Sequence, residues 1–523
     1  MMEKLRGEKT YLGIELGSTR IKAVLIDETF SVLATGSYDW ENRLENGYWT
    51  YSLEDVRRGL QACYGALKQE VKQKYGTVLT TIGALGVSGM MHGYLAFDAQ
   101  DRLLVPFRTW RNTVTGQAAQ KLTELFSFPI PQRWSIAHLY QAVLNNEPHV
   151  AQIAHINTLA GYVHFLLSGK RAVGAGEAAG MFPINGLEYD KTMLEKFSQE
   201  AARLGCPWNI AQLLPDIQPA GACAGYLTAE GARLLDAEGD LLPGVPLCPP
   251  EGDASTGMVA TGSVLPGEGN VSAGTSIFAM LVLKEPLKTV YPALDIGATP
   301  EGRPAVMVHC NNCCGELDAW VEAFAQFGIL MGAPRKKGEL YEALHPHALE
   351  KGAPDCGGIV AYNYLSGEHI TEVASGRPMY FRNPEGEFSL ANFMRAQLYA
   401  AMAVLRIGMD ILYNGEQVQA ESFTAHGGLF KVEGAAQQLL ADALKTPVSV
   451  LKTAGEGGAW GMALLAAYLK LGKQESLAAF LSRVFQNQPR HMLLPCTAGS
   501  EGFDAFMQRY RAGLAAEKAA DCC

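Results

Sequence analysis

The sequence lacks the features that mark several large classes of protein. Lys and Arg number 43 against 53 Asp and Glu, a formal net charge of −10, so no overall positive field favours nucleic acid or anionic membranes. No run approaches the roughly 20 apolar residues of a membrane span, and the opening MMEKLRGEKT has no apolar stretch like that of a signal peptide. We therefore predict a cytoplasmic protein with no nucleic-acid or membrane partner.

Cysteine is present but does not form the pattern of a disulfide framework. The 11 cysteines are odd in number and irregularly spaced, which favours reduced thiols. The segment HCNNCC, with His309, Cys310, Cys313 and Cys314, offers soft metal ligands. A structural zinc site normally needs two separated ligand pairs, and the sequence has no second CxxC. We predict that these thiols are buried structural residues.

Two common nucleotide-binding motifs are missing as well. The P-loop requires GxxxxGK[ST], and neither GKR (169–171) nor GKQ (472–474) completes it. No GxGxxG segment follows a predicted strand, as a dinucleotide-binding fold requires. Any bound nucleotide must therefore be held by other elements.

What the sequence does have is a repeated α/β plan. Its 523 residues, 48% hydrophobic and 18% charged, suffice for at least two domains with complete cores. A hairpin with strands over 11–15 and 21–27 opens the chain, and NVSAGTSIFAMLVL repeats this plan with a strand over 277–283. Because the turn-rich segment 265–267 precedes the second hairpin, we predict domains over 1–264 and 265–523.

Both predicted hairpins have turns of small polar residues. Glycine lets the backbone approach an anion closely, while amide N–H groups and hydroxyls donate to phosphate oxygens. A single such turn is more often an ordinary hairpin, but two at matching places in a duplicated chain indicate a phosphate grip. The residues are Gly17, Ser18 and Thr19 in the first turn, and Gly274, Thr275 and Ser276 in the second.

Two glycine-rich segments follow later in the chain. The first has a predicted strand ending at Ala425, then Gly427 and Gly428, then a helix beginning near Glu433. Glycines at such a turn permit close approach by a flat ring or a ribose. The second, AGEGGAWGMALLAAY, is a small-residue helix start for which close helix packing is the structural alternative. Together the two segments suggest an adenosine pocket.

The segment PPEGDASTG places Asp253 on a glycine-flanked turn just before the predicted boundary. Phosphoryl transfer to a hydroxyl needs an acceptor for the hydroxyl proton, normally a carboxylate. An isolated Asp at such a place is more often a turn-former or a helix cap. Its position near the junction of two domains favours a catalytic base.

Taken together, these motifs resemble those of the FGGY family of carbohydrate kinases, and most closely its xylulokinase-like members. The resemblance spans essentially the whole chain, from GIELGSTRIKAVLID through GDASTG, SAGTS and YLSGE to AHGG. It implies two actin-like (ribonuclease H-like) α/β domains with a nucleotide and substrate cleft between them. It also implies an ATP-dependent, Mg²⁺-using kinase for a small sugar, for which monomeric and homodimeric forms are both compatible with the sequence.

The resemblance assigns roles to individual residues. It implies that Asp253 is the catalytic base and that both hairpin turns bind phosphate. The nucleotide contacts extend to Gly315, Gly427 and Gly428. The segment GVSGMMHG is similar to GQMHG of xylulokinases and implies that Met91 and His92 touch the sugar, although a lone His is more often a core residue. The next segment, FRTWRNT, adds Trp110, Arg111 and Asn112 to the expected sugar site.

Three positions depart from the family pattern. Glu15 replaces the usual aspartate of the first hairpin, and its longer carboxylate could still organise Mg²⁺ through water. Asn112 stands where an acidic residue is expected, and Ala254 where xylulokinases have Asn. The expected acceptor is a ketose such as xylulose, with a heptulose, a deoxy sugar or a polyol as alternatives.

Two further classes of function fit the same fold. The altered pocket residues are also compatible with a non-catalytic protein that binds a sugar or a nucleotide. An actin-like or chaperone-like ATPase shares the nucleotide motifs, but Met91, His92 and Trp110 favour a small-molecule pocket. Sugar-dependent formation of ADP separates these alternatives.

Overall fold

The computed structural model describes residues 7–451, 457–472, 474–486 and 491–520. The chain divides into two compact units. The first contains residues 1–264, 296–305 and 456–487, and the second contains 265–295, 306–455 and 488–523. The first division falls between Val264 and Leu265, as predicted, but two later segments return to the first unit. A single cut of the chain therefore does not describe its organisation.

The first unit is built on a seven-stranded sheet. The strands up to residue 264, seven of which form this sheet, are Tyr11–Leu16 (β1), Arg20–Ile26 (β2), Val32–Asp39 (β3), Arg43–Glu45 (β4), Tyr48–Thr50 (β5), Ala84–Gly89 (β6), Leu95–Phe97 (β7), His155–Asn157 (β8), Ala172–Val173 (β9), Ile184–Asn185 (β10), Glu188–Tyr189 (β11), Asp216–Ile217 (β12), Gly225–Tyr226 (β13), Pro246–Leu247 (β14) and Glu251–Gly252 (β15). The sheet has the order β13-β14-β6-β1-β2-β3, and β15 also pairs with β6.

The same part of the chain contains helices between and after these strands. They are Leu53–Tyr75 (α1), Gly116–Phe126 (α2), Ser135–Leu144 (α3), Leu159–Ser168 (α4), Ala175–Ala178 (α5), Lys191–Arg203 (α6), Ile210–Leu213 (α7), Ala229–Leu235 (α8) and Asp253–Thr261 (α9). Local chemistry sets their ends: the Ser52 side chain accepts from the Asp55 N–H at 3.0 Å, and Gly76 ends α1 with φ 65°. These are a side-chain N-cap and a left-handed C-cap.

The second unit repeats the plan of the first. The strands from residue 268 onward are Glu268–Ala273 (β16), Ile277–Val282 (β17), Asp295–Ala298 (β18), Pro304–Cys310 (β19), Val360–Tyr362 (β20), Met379–Phe381 (β21), Ser422–Gly427 (β22), Val448–Val450 (β23) and His491–Leu493 (β24). The sheet order is β18-β19-β17-β16-β22-β23-β24. In each unit an antiparallel hairpin, β1–β2 or β16–β17, lies beside a strand parallel to its first member, β6 or β22.

The remaining helices are Gly315–Leu330 (α10), Lys337–Lys351 (α11), Leu390–Asp410 (α12), Ala435–Leu444 (α13), Gly457–Leu471 (α14), Leu477–Phe485 (α15) and Thr497–Ala520 (α16). Apolar residues at three- and four-residue spacing predict a helix over 393–413. This helix is α12, which begins earlier, at Leu390, because the Ser389 hydroxyl accepts from the Asn392 N–H. After Asp410 the chain widens into one π-helical turn, Ile411–Gly415. Among the described residues no helix is both long and apolar enough to cross a membrane.

Helix α14 belongs to the first unit, where it packs closely on β1 and α9. A Cβ at Gly13 would clash with the Ala459 carbonyl, and one at Gly461 would clash with the Thr256 carbonyl. Gly461 therefore serves close helix packing. Residues 454–456 of the segment AGEGGAWGMALLAAY lie outside the described residues, and the adenosine pocket stays a prediction.

This packing predicts opposite effects for two helical glycines. Gly461→Ala should destabilise the protein by about 1–3 kcal/mol, because rigid backbone of α9 faces the added methyl group. Gly65→Ala in α1 should stabilise it by about 0.5–1 kcal/mol, because nothing lies within 4 Å of the new Cβ. Urea unfolding measures both. Equal effects of the two substitutions would contradict the tight α14 contact.

Candidate active site

Asp253 lies at the carboxyl edge of three parallel strands in the first unit. Strands β1 and β15 both pair in parallel with β6, so that Glu15 and Glu251 flank Ser88 in register. The short strand β15 ends at Gly252, and Asp253 is the first residue of α9. The predicted turn is thus a strand-to-helix junction. Such junctions at the carboxyl ends of parallel strands are common ligand sites in α/β proteins.

The environment of Asp253 makes it a moderately basic carboxylate. Burial raises its pKa to about 6, while backbone N–H groups of Met91, Ala254 and Asp253 itself, together with the charge of Arg133, oppose the rise. A pKa of about 6 leaves the carboxylate largely ionised at neutral pH yet more basic than an exposed aspartate. This combination suits a general base.

Glu15 lies close enough to Asp253 for the two charges to interact. Burial, and then the negative charge of Asp253, raise the pKa of Glu15 to about 7, against the opposing influence of Lys22. One carboxylate oxygen accepts the Ala459 N–H at 3.2 Å, in the first turn of α14. The positive end of a 15-residue helix thereby offsets part of the charge on Glu15.

Two buried carboxyl groups that the sequence did not single out complete the cluster. Burial raises the pKa of Glu251 to about 8, although backbone N–H groups of Glu177, Gly176 and Gly252 oppose the rise. Burial raises the pKa of Glu177 well above its usual range, and the charges of Glu251 and Asp253 raise it further. Both side chains therefore hold a proton at neutral pH, which leaves Asp253 as the more readily ionised group.

Glu177 has few polar partners. Both of its carboxyl oxygens are buried, and the Thr158 side chain lies near enough to lower its pKa. Its only sequence signal is position in GAGEAAG, a segment without any chemical motif. Burial of that segment, which depends on the fold, is what makes Glu177 noteworthy.

Met91 and His92 lie in the loop after β6, beside Asp253. The Met91 N–H donates to the Asp253 carboxylate, and the Met91 side chain occupies the space beside Gly252 that a Cβ there would fill. His92 has φ 69°, an unusual conformation for a residue with a side chain, and its ring stacks on Trp134 with centroids 6.4 Å apart. The structure thus brings Met91 to the predicted base, and His92 follows it in the same loop.

The other predicted sugar-site segment has a different environment. Asn112 is buried, and its amide is used by backbone groups: it accepts the Trp49 N–H at 2.8 Å and donates to the carbonyls of Trp49 and Thr109 at 2.9 Å each. The expected contact between Asn112 and the sugar is therefore corrected to a structural role.

The two residues before Asn112 also lie in this segment. The Arg111 guanidinium lies 3.9 Å from the centre of the Trp49 ring and donates to Asn42 at 2.9 Å. These contacts hold Arg111 against the segment that carries Trp49. Trp110 packs, partly exposed, against the apolar core.

The first hairpin turn is held by an aromatic pair that the sequence did not indicate. Trp40 and Tyr51 stack with centroids 4.2 Å apart. The Trp40 indole donates to the Gly17 carbonyl at 2.7 Å, and the Tyr51 hydroxyl donates to the Ser18 carbonyl at 2.5 Å. In a trans peptide the N–H points opposite to the C=O. The N–H groups of Ser18 and Thr19 therefore point away from the aromatic pair.

The second hairpin turn, in the second unit, has the same arrangement with different supports. The Cys314 N–H donates to the Gly274 carbonyl at 3.1 Å, and the Cys313 N–H donates to the Thr275 carbonyl at 2.9 Å. The N–H groups of Thr275 and Ser276 consequently point away from the cysteine loop. Each turn thus presents two amides of the kind that bind phosphate oxygens.

The remaining predicted nucleotide residues lie near the second turn. Gly315 is the first residue of α10 and follows Cys314, whose N–H holds Gly274. Gly427 pairs in register with Ala273, the residue before that turn, and its φ of 106° favours glycine. Gly428 is exposed and begins a single 3₁₀ turn, Gly428–Phe430. The second unit therefore gathers all six of its predicted nucleotide residues.

Within residues 7–451, 457–472, 474–486 and 491–520, no group of three or more His, Cys, Asp or Glu could hold an ion. Magnesium in kinases is typically held by one or two carboxylates together with substrate phosphates and water. Glu15 fits this pattern as a carboxylate near Asp253. The nine described cysteines are free thiols.

Solved structures of sugar kinases share this fold over nearly the whole chain. A ligand-bound xylulose kinase from Lactobacillus acidophilus aligns with a TM-score of 0.77 at 17% identity, covering 98% of this chain and 99% of its own. A gluconate kinase from the same organism gives the same TM-score, identity and coverage. The fold is therefore the two-domain, actin-like α/β fold of sugar kinases.

The chain belongs to the FGGY family of carbohydrate kinases. The N-terminal domain of the family matches residues 10–259 and the C-terminal domain matches residues 269–469. The xylulose kinase of Escherichia coli is 25% identical over 490 residues, covering 91% of this chain and 93% of that protein. The protein is thus a carbohydrate kinase, a phosphotransferase with an alcohol group as acceptor, and its family implies the use of ATP.

The buried carboxyl Glu251 predicts a pH-dependent change in stability. The folded state holds its proton up to about pH 8, whereas the unfolded state releases it near the ordinary value of 4.5. Stability contributed by this group must therefore fall as pH rises from 4.5 to 8. Glu251→Gln stays neutral, so its melting temperature should fall less than that of the wild type over this range. Scanning calorimetry at several pH values measures the difference.

The exposed substitution Glu124→Gln removes a carboxylate without altering the buried cluster. Its curve of melting temperature against pH should run parallel to that of the wild type. A parallel curve for Glu251→Gln as well would show that Glu251 is ionised in the folded protein, against the prediction.

Proposed function

We propose that the protein transfers the γ-phosphate of ATP to a hydroxyl of a small ketose, with Asp253 as the general base. The observation that carries this proposal is the placement of Asp253 at the carboxyl edge of β1, β6 and β15 with a pKa of about 6. The Met91 N–H donates to this carboxylate, and His92, also predicted for the sugar site, is the next residue in the same loop. An acceptor hydroxyl in this place has a base within reach.

The amides of the two hairpin turns suit the nucleotide phosphates. In each turn the carbonyls are engaged by neighbouring groups, so two N–H groups per turn remain for phosphate oxygens. The glycines at 427 and 428 and the start of α10 lie beside the second turn, which suits the rest of the nucleotide. A magnesium ion would be held mainly by ATP, with Glu15 contributing directly or through water, and would offset charge on the phosphates.

The chemistry follows from these assignments. Asp253 accepts the proton of the acceptor hydroxyl while that oxygen forms a bond to the γ-phosphorus. The bond between the γ-phosphorus and the bridging oxygen breaks, and ADP leaves with that electron pair. The products are a sugar phosphate, ADP and the proton held by Asp253. Positioning and electrostatics carry most of the catalysis in such reactions.

A ketose is favoured as the acceptor by the Met91-His92 pair and by the relatives. Full-length relatives named xylulose kinase occur in several bacteria at 22–25% identity. Of the sequence features that pointed to the sugar, Met91 of this pair bonds to Asp253, whereas Asn112 bonds to backbone. Arg133 places a positive charge near Asp253, which gives sugar acids a specific reason to be tested beside ketoses.

The assignment of the base predicts a selective loss of turnover. Asp253→Asn should lower kcat by about 10²- to 10⁴-fold, while ADP binding measured by calorimetry persists because the second unit is unchanged. In the wild type, kcat/KM should fall below about pH 6 as the carboxylate becomes protonated. The apparent value will belong to the Asp253 and Glu15 pair rather than to one residue.

The matched control is Asp190→Asn, which changes the N-cap aspartate of α6. Asn is as good a cap as Asp, so this variant should retain wild-type turnover. Near-normal turnover by Asp253→Asn would remove the base assignment, and loss of ADP binding in that variant would indicate a folding defect instead.

The acceptor class predicts an order of activities in a direct assay. Formation of ADP should be fastest with a pentulose such as xylulose and slower with heptuloses, deoxy sugars and polyols. Assays with gluconate and other sugar acids test whether the positive charge of Arg133 favours an anionic acceptor. Highest activity with a sugar acid would overturn the ketose assignment, and ADP formation that needs no acceptor would indicate an ATPase.

A further inference from the structure

The loop between β19 and α10 carries two adjacent cysteines whose side chains touch. The Cys313 and Cys314 sulfurs are 3.6 Å apart, and the two residues are 2% and 9% exposed. They are the pair that the sequence indicated as structural thiols. Unlike a single buried cysteine, this pair has two sulfurs close enough for one central atom to bind both.

This loop is also the support of the second hairpin turn. Besides the N–H groups of both cysteines, which hold the carbonyls of Thr275 and Gly274, the Cys313 carbonyl accepts from the Asn363 amide at 2.9 Å. The neighbouring Asn312 accepts from the N–H groups of Leu365 and Ser366 at 2.9 and 3.0 Å. A change in the conformation of the cysteine loop must therefore also move the second hairpin turn.

The sulfur spacing favours a bridging atom over a direct bond. A disulfide needs about 2.05 Å between sulfurs and usually Cα atoms 4.4–6.8 Å apart, whereas adjacent Cα atoms are about 3.8 Å apart. A disulfide here would be strained. Two bonds of about 2.3 Å to one central atom, the length seen for zinc and sulfur, span 3.6 Å at an angle of about 103°. That angle suits a pyramidal or tetrahedral centre.

We propose that Cys313 and Cys314 form a dithiol site for a trivalent organoarsenical, a soft centre that takes two thiols. The reaction is a condensation: RAs(OH)₂ and two thiols give RAs(SR′)₂ and two water molecules. Two As–O bonds and two S–H bonds break, two As–S bonds and two O–H bonds form, and arsenic keeps its oxidation state. The product is neutral, so no charge has to be buried with the two sulfurs, whose residues are 2% and 9% exposed.

Divalent metal ions suit the pair less well. They require deprotonated thiols, and the neighbouring Cys314 thiol and burial raise the pKa of Cys313 well above its usual range. Within the described part of the chain no third ligand joins the pair in a metal-binding group. An arsenical needs neither thiolates nor a third ligand.

Arsenical binding should also alter the nucleotide site, a consequence that rests on the proposed function. Both thiols are buried, so the loop must open before the reagent enters, and the reaction should be slow. Bound ADP should slow it further by holding the second turn and, through it, the cysteine N–H groups. The condensation itself depends only on the two thiols.

The probe is phenylarsine oxide, added to the full-length, reduced protein in which Cys522→Ser and Cys523→Ser remove the other adjacent pair of thiols in the sequence. Intact-mass spectrometry should show one phenylarsenic group per chain, and peptide mapping should place it on the segment with Cys313 and Cys314. A dithiol such as 2,3-dimercaptopropanol should remove it, whereas a monothiol should not. Cys313→Ser and Cys314→Ser should each lower labelling by about tenfold or more, because a single thiol loses the second, intramolecular bond.

The control is Cys223→Ser, which removes an exposed thiol outside this loop and should leave labelling unchanged. An adduct mapped to other cysteines, labelling seen only after unfolding, or a Cys313–Cys314 disulfide in place of the adduct would each overturn the proposal. Protection by ADP tests the link to the nucleotide separately. An adduct that ADP does not affect would keep the dithiol site and contradict the assignment of the second turn to phosphate.

Discussion

The close approach of α14 to β1 and α9 is the contact on which the first unit depends. It requires a bare backbone at Gly13 and Gly461, since a Cβ at either would meet a carbonyl oxygen of the facing element. It also brings the Ala459 N–H to Glu15. A helix near residue 460 thereby packs on a sheet strand that begins at residue 11. The core of this unit cannot close until this late segment has folded, a long-range requirement that slows folding.

The same packing creates a crowded group of acids, and the structure divides protons among them unequally. Burial raises the pKa of Glu15, Glu177, Glu251 and Asp253 alike. Backbone N–H groups oppose the rise at both Glu251 and Asp253, but Asp253 also has the charge of Arg133 and the lower ordinary pKa of an aspartate. Its pKa is therefore lower than those of Glu15 and Glu251. Environments that separate the pKa values of neighbouring carboxyls are how one site assigns the role of base to one of them.

The two hairpin turns reach one arrangement by different means. In the first unit an indole and a phenol hold the turn carbonyls, and in the second two backbone N–H groups of a cysteine loop do so. Orientation of a peptide group by its carbonyl determines where its N–H points. The sequence therefore predicted both turns, because Gly, Ser and Thr are local signals. It did not indicate Trp40, Tyr51 or the supporting role of Cys313 and Cys314, because those contacts join distant segments.

The other predictions from the sequence also differ in whether they rest on local signals or on contacts between distant segments. The fold class, the hairpins and the helix of 390–410 rest on local periodicity and motifs, and the structure has them with ends shifted by capping residues such as Ser389. The resemblance of its segment to a sugar-site segment of the family assigns Asn112 to the sugar, yet its amide bonds to backbone groups in a buried segment. Gly461 lies in a segment that suggests a nucleotide pocket, yet it admits the backbone of α9, and a sequence does not distinguish a glycine that faces backbone from one that faces a ligand.

Glu15, whose side chain is one methylene longer than the aspartate of the family pattern, links the packing of α14 to the electrostatics of Asp253. Its carboxylate reaches the first turn of α14 and interacts electrostatically with Asp253. When Glu15 is protonated its charge no longer opposes ionisation of Asp253, and when it is ionised it is available to a cation. A cation that binds near Glu15 would therefore lower the pKa of both carboxyls and favour ionised Asp253. Arrival of the magnesium ion with the nucleotide would thus increase the fraction of protein whose proposed base can accept a proton.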